Sequence, residues 1–353
     1  MSRSWLVVLA SVPILLGLDH LSHSLNPRIQ QIVIFIGINI ILAVGLNLIN
    51  GYAGQFSLGH AGFMAIGGYT SAYLTVHYGM LFPLAMVVGG LAAAASGVLV
   101  GLPTLRLRGD YLAIATLGFG EIVRVFFLNL DATGGARGLP GIPALTTFFW
   151  VYLAALLSVV IVLNLIQSSH GRAVVAVRED ELAAEVMGIS TTYYKMTAFI
   201  VGAFLAGVAG CLFGHYLQIL HPNKFNFILS IEVVVMVVLG GMGSTTGAVL
   251  AAALLTILPE LLREVPAIAE DIAAASPFLG SFLGVFGEPA MRMVLYSLMM
   301  ILLMIFRPYG LMGNREAFPG LLRRRSNLQR TAPRTEPEVE PLVKTGTEAP
   351  EEP

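Results

Sequence analysis

The sequence predicts an all-α fold: a polytopic helical membrane protein of about 8–10 transmembrane or re-entrant helices, in two weakly related halves, with both termini cytoplasmic. Three observations predict it. Of 353 residues, 56% are hydrophobic and 12% are charged, with a mean hydropathy of +0.80; a soluble domain carries about 25% charged residues. Apolar runs of bilayer-spanning length recur along most of the chain. Lysine and arginine collect at alternate ends of those runs.

The runs fall at 5–20, 29–49, 55–77, 82–102, 111–130, 147–167, 196–220, 228–239, 246–259 and 290–306. The first has no small-x-small cleavage site after it, and His20 and His23 follow directly, so it reads as a retained helix. The runs 228–239 and 246–259 are too short to span alone and flank Gly240–Thr245, which reads as a broken or re-entrant pair. With ten runs, one set of ends carries Arg3, Arg106, Arg108, Arg172, Arg178, Lys195, Arg307, Arg315, Arg323, Arg324 and Arg325. The other carries Arg28, Arg137, Lys224 and Arg263. The positive-inside bias then puts both termini and the 168–195 loop in the cytoplasm. Residues 260–289, with five acidic residues and four prolines from Pro259 to Pro289, read as a partly helical outer segment. Residues 313–353, Pro- and Glu-rich from 326 onward, read as a disordered cytoplasmic tail. A net charge of −1 gives no sign of nucleic-acid binding, and the single Cys211 can form no intrachain disulfide.

Polar residues inside apolar runs are the candidate functional groups. The stretch GYAGQFSLGHAGFMAIGGY, Gly51–Tyr69, carries Gln55, Ser57 and His60 among glycines. Its later small residues, Ala61 and Ala65, then Gly68 and Ala72, are spaced four apart and suit close helix packing. Packing does not account for the three polar residues, and interrupted helices mark the path in many transporters. A second glycine-rich break, with Gly240, Gly241 and Gly243, holds a similar place in the second half. Glu232 has no basic residue near it in sequence, so it faces the bundle interior, either structurally or in the path. Glu121 and Arg124, at i and i+3, read as an ion pair that fixes helix packing. Ser57 and His60 lack the nucleophile-elbow pattern, which argues against hydrolysis. In the 168–195 loop, Arg178, Glu179, Asp180, Glu181 and Glu185 form a short charged helix. Its apolar stripe is Leu182, Ala183, Val186 and Met187, and Gly188 stops it; this suits docking in a partner's groove.

The stretches GLNLINGYAGQFSLGHAGFMAIGGYTSAYL, LRGDYLAIATLGFGEIVRVFFLN, TGGARGLPGIP, AVREDELAAEVMGI and VVLGGMGSTTGAVLAAALLTILPELLR follow in order from about residue 45 to 263. Together they resemble the permease subunits of branched-chain amino acid ABC importers, LivM-type more than LivH-type. The resemblance implies a permease domain over 1–312 with a periplasmic segment at 260–289, in the bacterial inner membrane. It also implies a LivH-like second permease, two cytoplasmic ABC ATPases and a periplasmic amino-acid-binding protein. Ala183, Ala184 and Gly188 resemble the loop that such permeases insert into their ATPases, which makes Glu179, Asp180, Glu181, Ala183, Ala184, Glu185 and Gly188 the coupling candidates; Leu182 stands where that pattern has its first glutamate. No G-x-x-x-x-G-K-[ST] loop occurs, so no cofactor is expected in this chain, and ATP would be bound by partner subunits. A urea or short-amide permease, a proton-coupled transporter using Glu121 or Glu232, and an intramembrane hydrolase using Ser57 and His60 are the alternatives.

Overall fold

The computed structural model describes residues 3–22, 26–107, 109–275 and isolated positions between 294 and 313. The helices are α1 (Arg3–Ser22), α2 (Pro27–Asn47), α3 (His60–Tyr78), α4 (Phe82–Thr104), α5 (Asp110–Asn129) and α6 (Phe148–Gln167). They continue with α7 (Ser169–Glu179), α8 (Glu181–Val186), α9 (Thr191–Leu217), α10 (Phe227–Gly240) and α11 (Thr245–Ala275). A π-helical turn, Leu48–Tyr52, prolongs α2. Two short strands, β1 (Leu139–Pro140) and β2 (Ile219–Leu220), pair antiparallel and tie two connecting segments together.

Among the described residues six helical stretches are long and apolar enough to cross a membrane: Pro27–Tyr52, Phe82–Thr104, Asp110–Asn129, Phe148–Gln167, Thr191–Leu217 and Pro222–Gly240. The chain is a multi-pass membrane protein. Local chemistry sets the ends of these helices. Asn26 Oδ1 accepts from the Arg28 amide with Pro27 at the first position of α2, and Asn226 Oδ1 accepts from the Leu229 amide at the start of α10. Gly79 ends α3 in the left-handed region at φ +59°.

α2 and α9 form the centre, each 72% buried over its most apolar window, against 28% for α5. Small residues let α9 sink between its neighbours. Gly207 faces Gly67 of α3 and Gly89, Gly90 and Ala93 of α4, Gly210 lies on the Met64 carbonyl, and Gly202 lies on the Gly45 carbonyl of α2. Lipid tails are as apolar as the side chains, so dispersion across such close contacts, not hydrophobic burial, holds the bundle together.

Basic residues lie at both ends of α2. Arg28, at the start of α2, lies 3.7 Å from Glu260, which also pairs with Arg263. At the other end of the same helix Arg178 donates to the Gly51 carbonyl.

Three differences from the sequence reading have physical causes. The run expected as a helix over 55–77 begins only at His60, because the amides of Ser57, Leu58 and Gly59 donate to side chains instead of to helical carbonyls. The charged helix expected in the 168–195 loop is two helices, because Asp180 is extended (φ −152°, ψ 108°) and caps α8 through the Ala183 amide. The outer segment expected from residue 260 is, as far as Ala275, a continuation of α11 through Pro259 and Pro266. Membrane helices tolerate proline where freed backbone groups find other partners. The run expected at 290–306 lies mostly outside the described residues, as do the tail after 313 and the rest of the outer segment.

Candidate functional site

Both halves share a pattern: an apolar helix, a glycine-rich break and a helix that turns back. In the first half α2 passes into the π-helical turn, the chain extends from Ala53 to Gly59, and α3 starts at His60. In the second, α10 ends at Gly240 and α11 starts at Thr245. The structure brings the two breaks into contact. Asn47 Oδ1 accepts from the Gly243 amide at 2.9 Å, and the Tyr52 hydroxyl lies 2.9 Å from Thr245 Oγ1. Gly240 and Gly247 meet backbone to backbone where α10 and α11 cross. Gly310 and Leu311 reach the same place: Gly310 lies against the Gly241 backbone, and Leu311 N–H donates to the Leu239 carbonyl at 2.7 Å. π-helical turns inside α-helices concentrate at functional sites.

The first break is built from side chains that sequence reading passed over. Asn50 Oδ1 accepts from the Ser57 amide at 3.1 Å, and Thr116 Oγ1 of α5 accepts from the Leu58 amide at 3.0 Å. Ser230 Oγ of α10 accepts from the Ala61 amide at 3.1 Å, completing the first turn of α3 from a distant helix. Asn47 and Asn50, three apart at the end of a strongly apolar helix, were the available signal, because an amide there has to find a partner. Thr116 and Ser230 gave none. Thr116→Val keeps the shape but orphans the part-buried Leu58 N–H. We expect it to lower stability by about 1–3 kcal/mol, read as a drop in the thermal midpoint of the detergent-solubilised protein.

Of the candidates in this stretch, Ser57 is fully buried and serves the backbone: its Oγ lies 3.5 Å from the Gly59 amide. Gln55 and His60 are buried, and neither the side-chain amide of Gln55 nor either ring nitrogen of His60 has a hydrogen-bond partner of normal geometry within the described residues. The His60 ring sits against Gly45 of α2 and close to the Leu42 carbonyl. Gly241 and Gly243 hold positive φ, +106° and +85°, so the turn between α10 and α11 depends on glycine.

Glu232 does not join this cluster. It is exposed on α10 two turns above Gly240, on the face that also carries Ile228 and Ile231, and has no ion pair or hydrogen bond among the described residues. Glu121 and Arg124 of α5 are in contact at 2.7 Å, and Arg124 also donates to Asn223 Oδ1 at 3.2 Å. Glu121 lines an open groove of about 530 Å³ with Ile122, Val125, Phe126, Asn129 and Leu130, and borders a small gap against Asn226 and Ser230 beside α10. Thus α5 and α10 each expose apolar side chains beside ionisable ones, the Glu121–Arg124 pair on α5 and Glu232 on α10.

At the end of the bundle that holds the breaks, α7 packs Val174 and Val177 inward. α8 is short, with Ala184 buried and Leu182, Val186 and Met187 exposed by 64%, 87% and 80%. Three devices fix it: the Asp180 cap, a 2.7 Å ion pair from Lys195 to Glu181, and Gly188 in the left-handed region at φ +80°. Glu179 pairs with Arg178, while Ala183 and Glu185 are exposed beside the apolar stripe.

The family model for the permease component of branched-chain amino acid transport systems matches residues 28–304. The chain belongs to this family. Two LivM proteins, the high-affinity branched-chain amino acid transport permeases of Salmonella typhimurium and Escherichia coli K12, are each 40% identical to it over 78% of this chain and 68% of their own length. A probable LivM from Methanocaldococcus jannaschii is 24% identical over 81% of this chain and 94% of its own. No solved structure matches. Both breaks, α5, α7, α8 and α10 of this permease component fall inside the matched residues.

Proposed function

We propose that this permease component is the LivM-type half of an ATP-driven importer for branched-chain or related hydrophobic amino acids in the bacterial inner membrane. A LivH-like subunit is its partner, two cytoplasmic ABC ATPases drive it, and a periplasmic binding protein delivers the substrate. The observation that carries the reading is α8: a capped, pinned helix outside the apolar spans that offers Leu182, Val186 and Met187 to solvent, uncovered by any of the described residues. An apolar helical face of this kind fits a groove in a partner. The chain has no phosphate-binding loop of its own, so the nucleotide belongs to that partner.

The ionisable groups on α5 and α10 support the rest. An ionised side chain facing lipid near the bilayer centre costs about 2.5–3.5 kcal/mol on insertion scales. Glu232 and the Glu121–Arg124 pair are therefore placed against the second permease and the path between the two subunits. ATPase closure moves α8, and the two touching breaks let the helices ending there reorient between outward-open and inward-open states. The side chains of Gln55 and His60, buried without a hydrogen bond of normal geometry among the described residues, are the groups free to change partners between the two states. In this reading the chain's part is conformational, not catalytic.

The test is uptake by proteoliposomes holding the permease pair, the ATPases and the loaded binding protein. We expect leucine uptake that requires ATP and survives proton uncouplers. Proton-driven uptake by this chain alone would overturn the reading, and urea outcompeting leucine would move the substrate class.

A further inference from the structure

We propose that Arg178 is the positioning residue through which movement of α7 and α8 reaches both glycine-rich breaks together; this rests on the lever role proposed for α8. Arg178 occupies the last turn of α7, and its side chain leaves the helix to enter a slot between the breaks. One guanidinium nitrogen donates to the Gly51 carbonyl at 2.9 Å. A Cβ on Gly54 would stand 2.7 Å from Arg178 Cγ, and one on Gly243 would stand 3.0 Å from the nitrogen that bonds Gly51. The slot therefore exists because positions 54 and 243 lack side chains. Both also hold positive φ, +66° and +85°.

The chemistry suits an arginine. α2, through its π-helical turn, and α10 both end here, and helix C-termini carry unpaired carbonyls and a negative dipole end. A guanidinium offers several donors in a fixed plane and stays charged. Its other edge is held by Glu179, with Arg178 Nε 3.1 Å from Glu179 Oε1. Asp180 follows as the hinge between α7 and α8. The breaks are joined to each other by Asn47 and Gly243. A displacement of α8 about Asp180 thus pulls on Glu179 and Arg178, and through them on Gly51 and Gly243 at once. The exposed stripe of α8 takes no part in this seat, so docking and transmission are separable.

The experiment uses the complete reconstituted complex and measures three quantities: ATPase co-purification, the ratio of ATP hydrolysis with and without loaded binding protein, and leucine uptake. For Arg178→Ala we expect normal co-purification, a hydrolysis ratio close to one, and uptake lowered by about tenfold or more, as for loss of a charge-assisted hydrogen bond. Arg178→Lys should recover part of the ratio, which a merely structural residue would not do. An Arg178→Ala complex with the wild-type ratio and uptake overturns the proposal. Should that variant fail to assemble, Gly54→Ala decides: it keeps the arginine but sets a methyl against its stem, so wild-type coupling overturns the proposal and lost coupling supports it. A wild-type complex with no ATP-dependent uptake would instead refute the importer reading itself.

Discussion

Replacing Gly210 with leucine is expected to remove the folded protein from the membrane. The first atom added, Cβ, would run into the Met64 carbonyl oxygen, with the Gly68 amide 2.9 Å away. Both obstacles are backbone of α3, so no rotamer relieves them and α9 would have to back away along its length. That retreat would also open its contacts with α4, where a Cβ on Gly207 would already stand 2.6 Å from Ala93 Cβ and 3.0 Å from the Gly89 carbonyl. Overpacking of this kind costs about 3 kcal/mol or more when backbone must move, and loss of dispersion along a whole crossing adds to it. Gly17→Leu supplies the contrast: it is also a helical glycine, but an added Cβ meets nothing within 4 Å. The yield of monodisperse protein after mild detergent extraction should fall to near zero for Gly210→Leu and stay near wild type for Gly17→Leu. Equal yields would mean that the α3–α9 contact does not hold the bundle.

Much of this architecture was legible in the sequence because a bilayer limits the choices. Long apolar runs have to become helices, and the sorting of Arg28 and Arg178 to opposite ends of α2 follows from the charge bias. The two glycine-rich breaks were visible as composition. Their meeting was not, since it depends on a pairing between Asn47 and Gly243 across 196 residues. Gln55, Ser57 and His60 were visible as polar residues in apolar surroundings, yet Ser57 turns out to serve the backbone, through Asn50 and Gly59. Glu232 was expected to face the bundle interior, and on this subunit alone it is exposed; the proposed assembly would cover it with a second subunit. The division of the cytoplasmic helix was missed for a simpler reason. Asp180 was counted as one charge among several, when an aspartate followed three residues later by an unpaired amide is also a cap. That cap sets α8 apart as a separate short element and leaves Arg178 on the other side of the hinge.

The docking role proposed for α8 leads to the second large effect. Val186→Glu combined with Met187→Glu is expected to abolish association with the ATPases while leaving the permease folded. The two side chains are 87% and 80% exposed, so charging them disturbs no packing within this chain. Burying an apolar side chain of this size in a partner's groove stabilises the contact by about 1.5–3 kcal/mol. Losing two such contacts and forcing carboxylates into an apolar groove should weaken association by about a hundredfold or more. ATPase co-purification from detergent and leucine uptake should therefore fail together, whereas extraction yield and melting behaviour of the permease pair stay unchanged. The pairing of those two losses separates docking from transmission: Arg178→Ala keeps the ATPases bound and loses the stroke, whereas the α8 variant loses the ATPases themselves. If the double variant retained its ATPases and transported normally, the exposed stripe would not be the point where force enters, and the geometry of α7 and α8 would need another explanation.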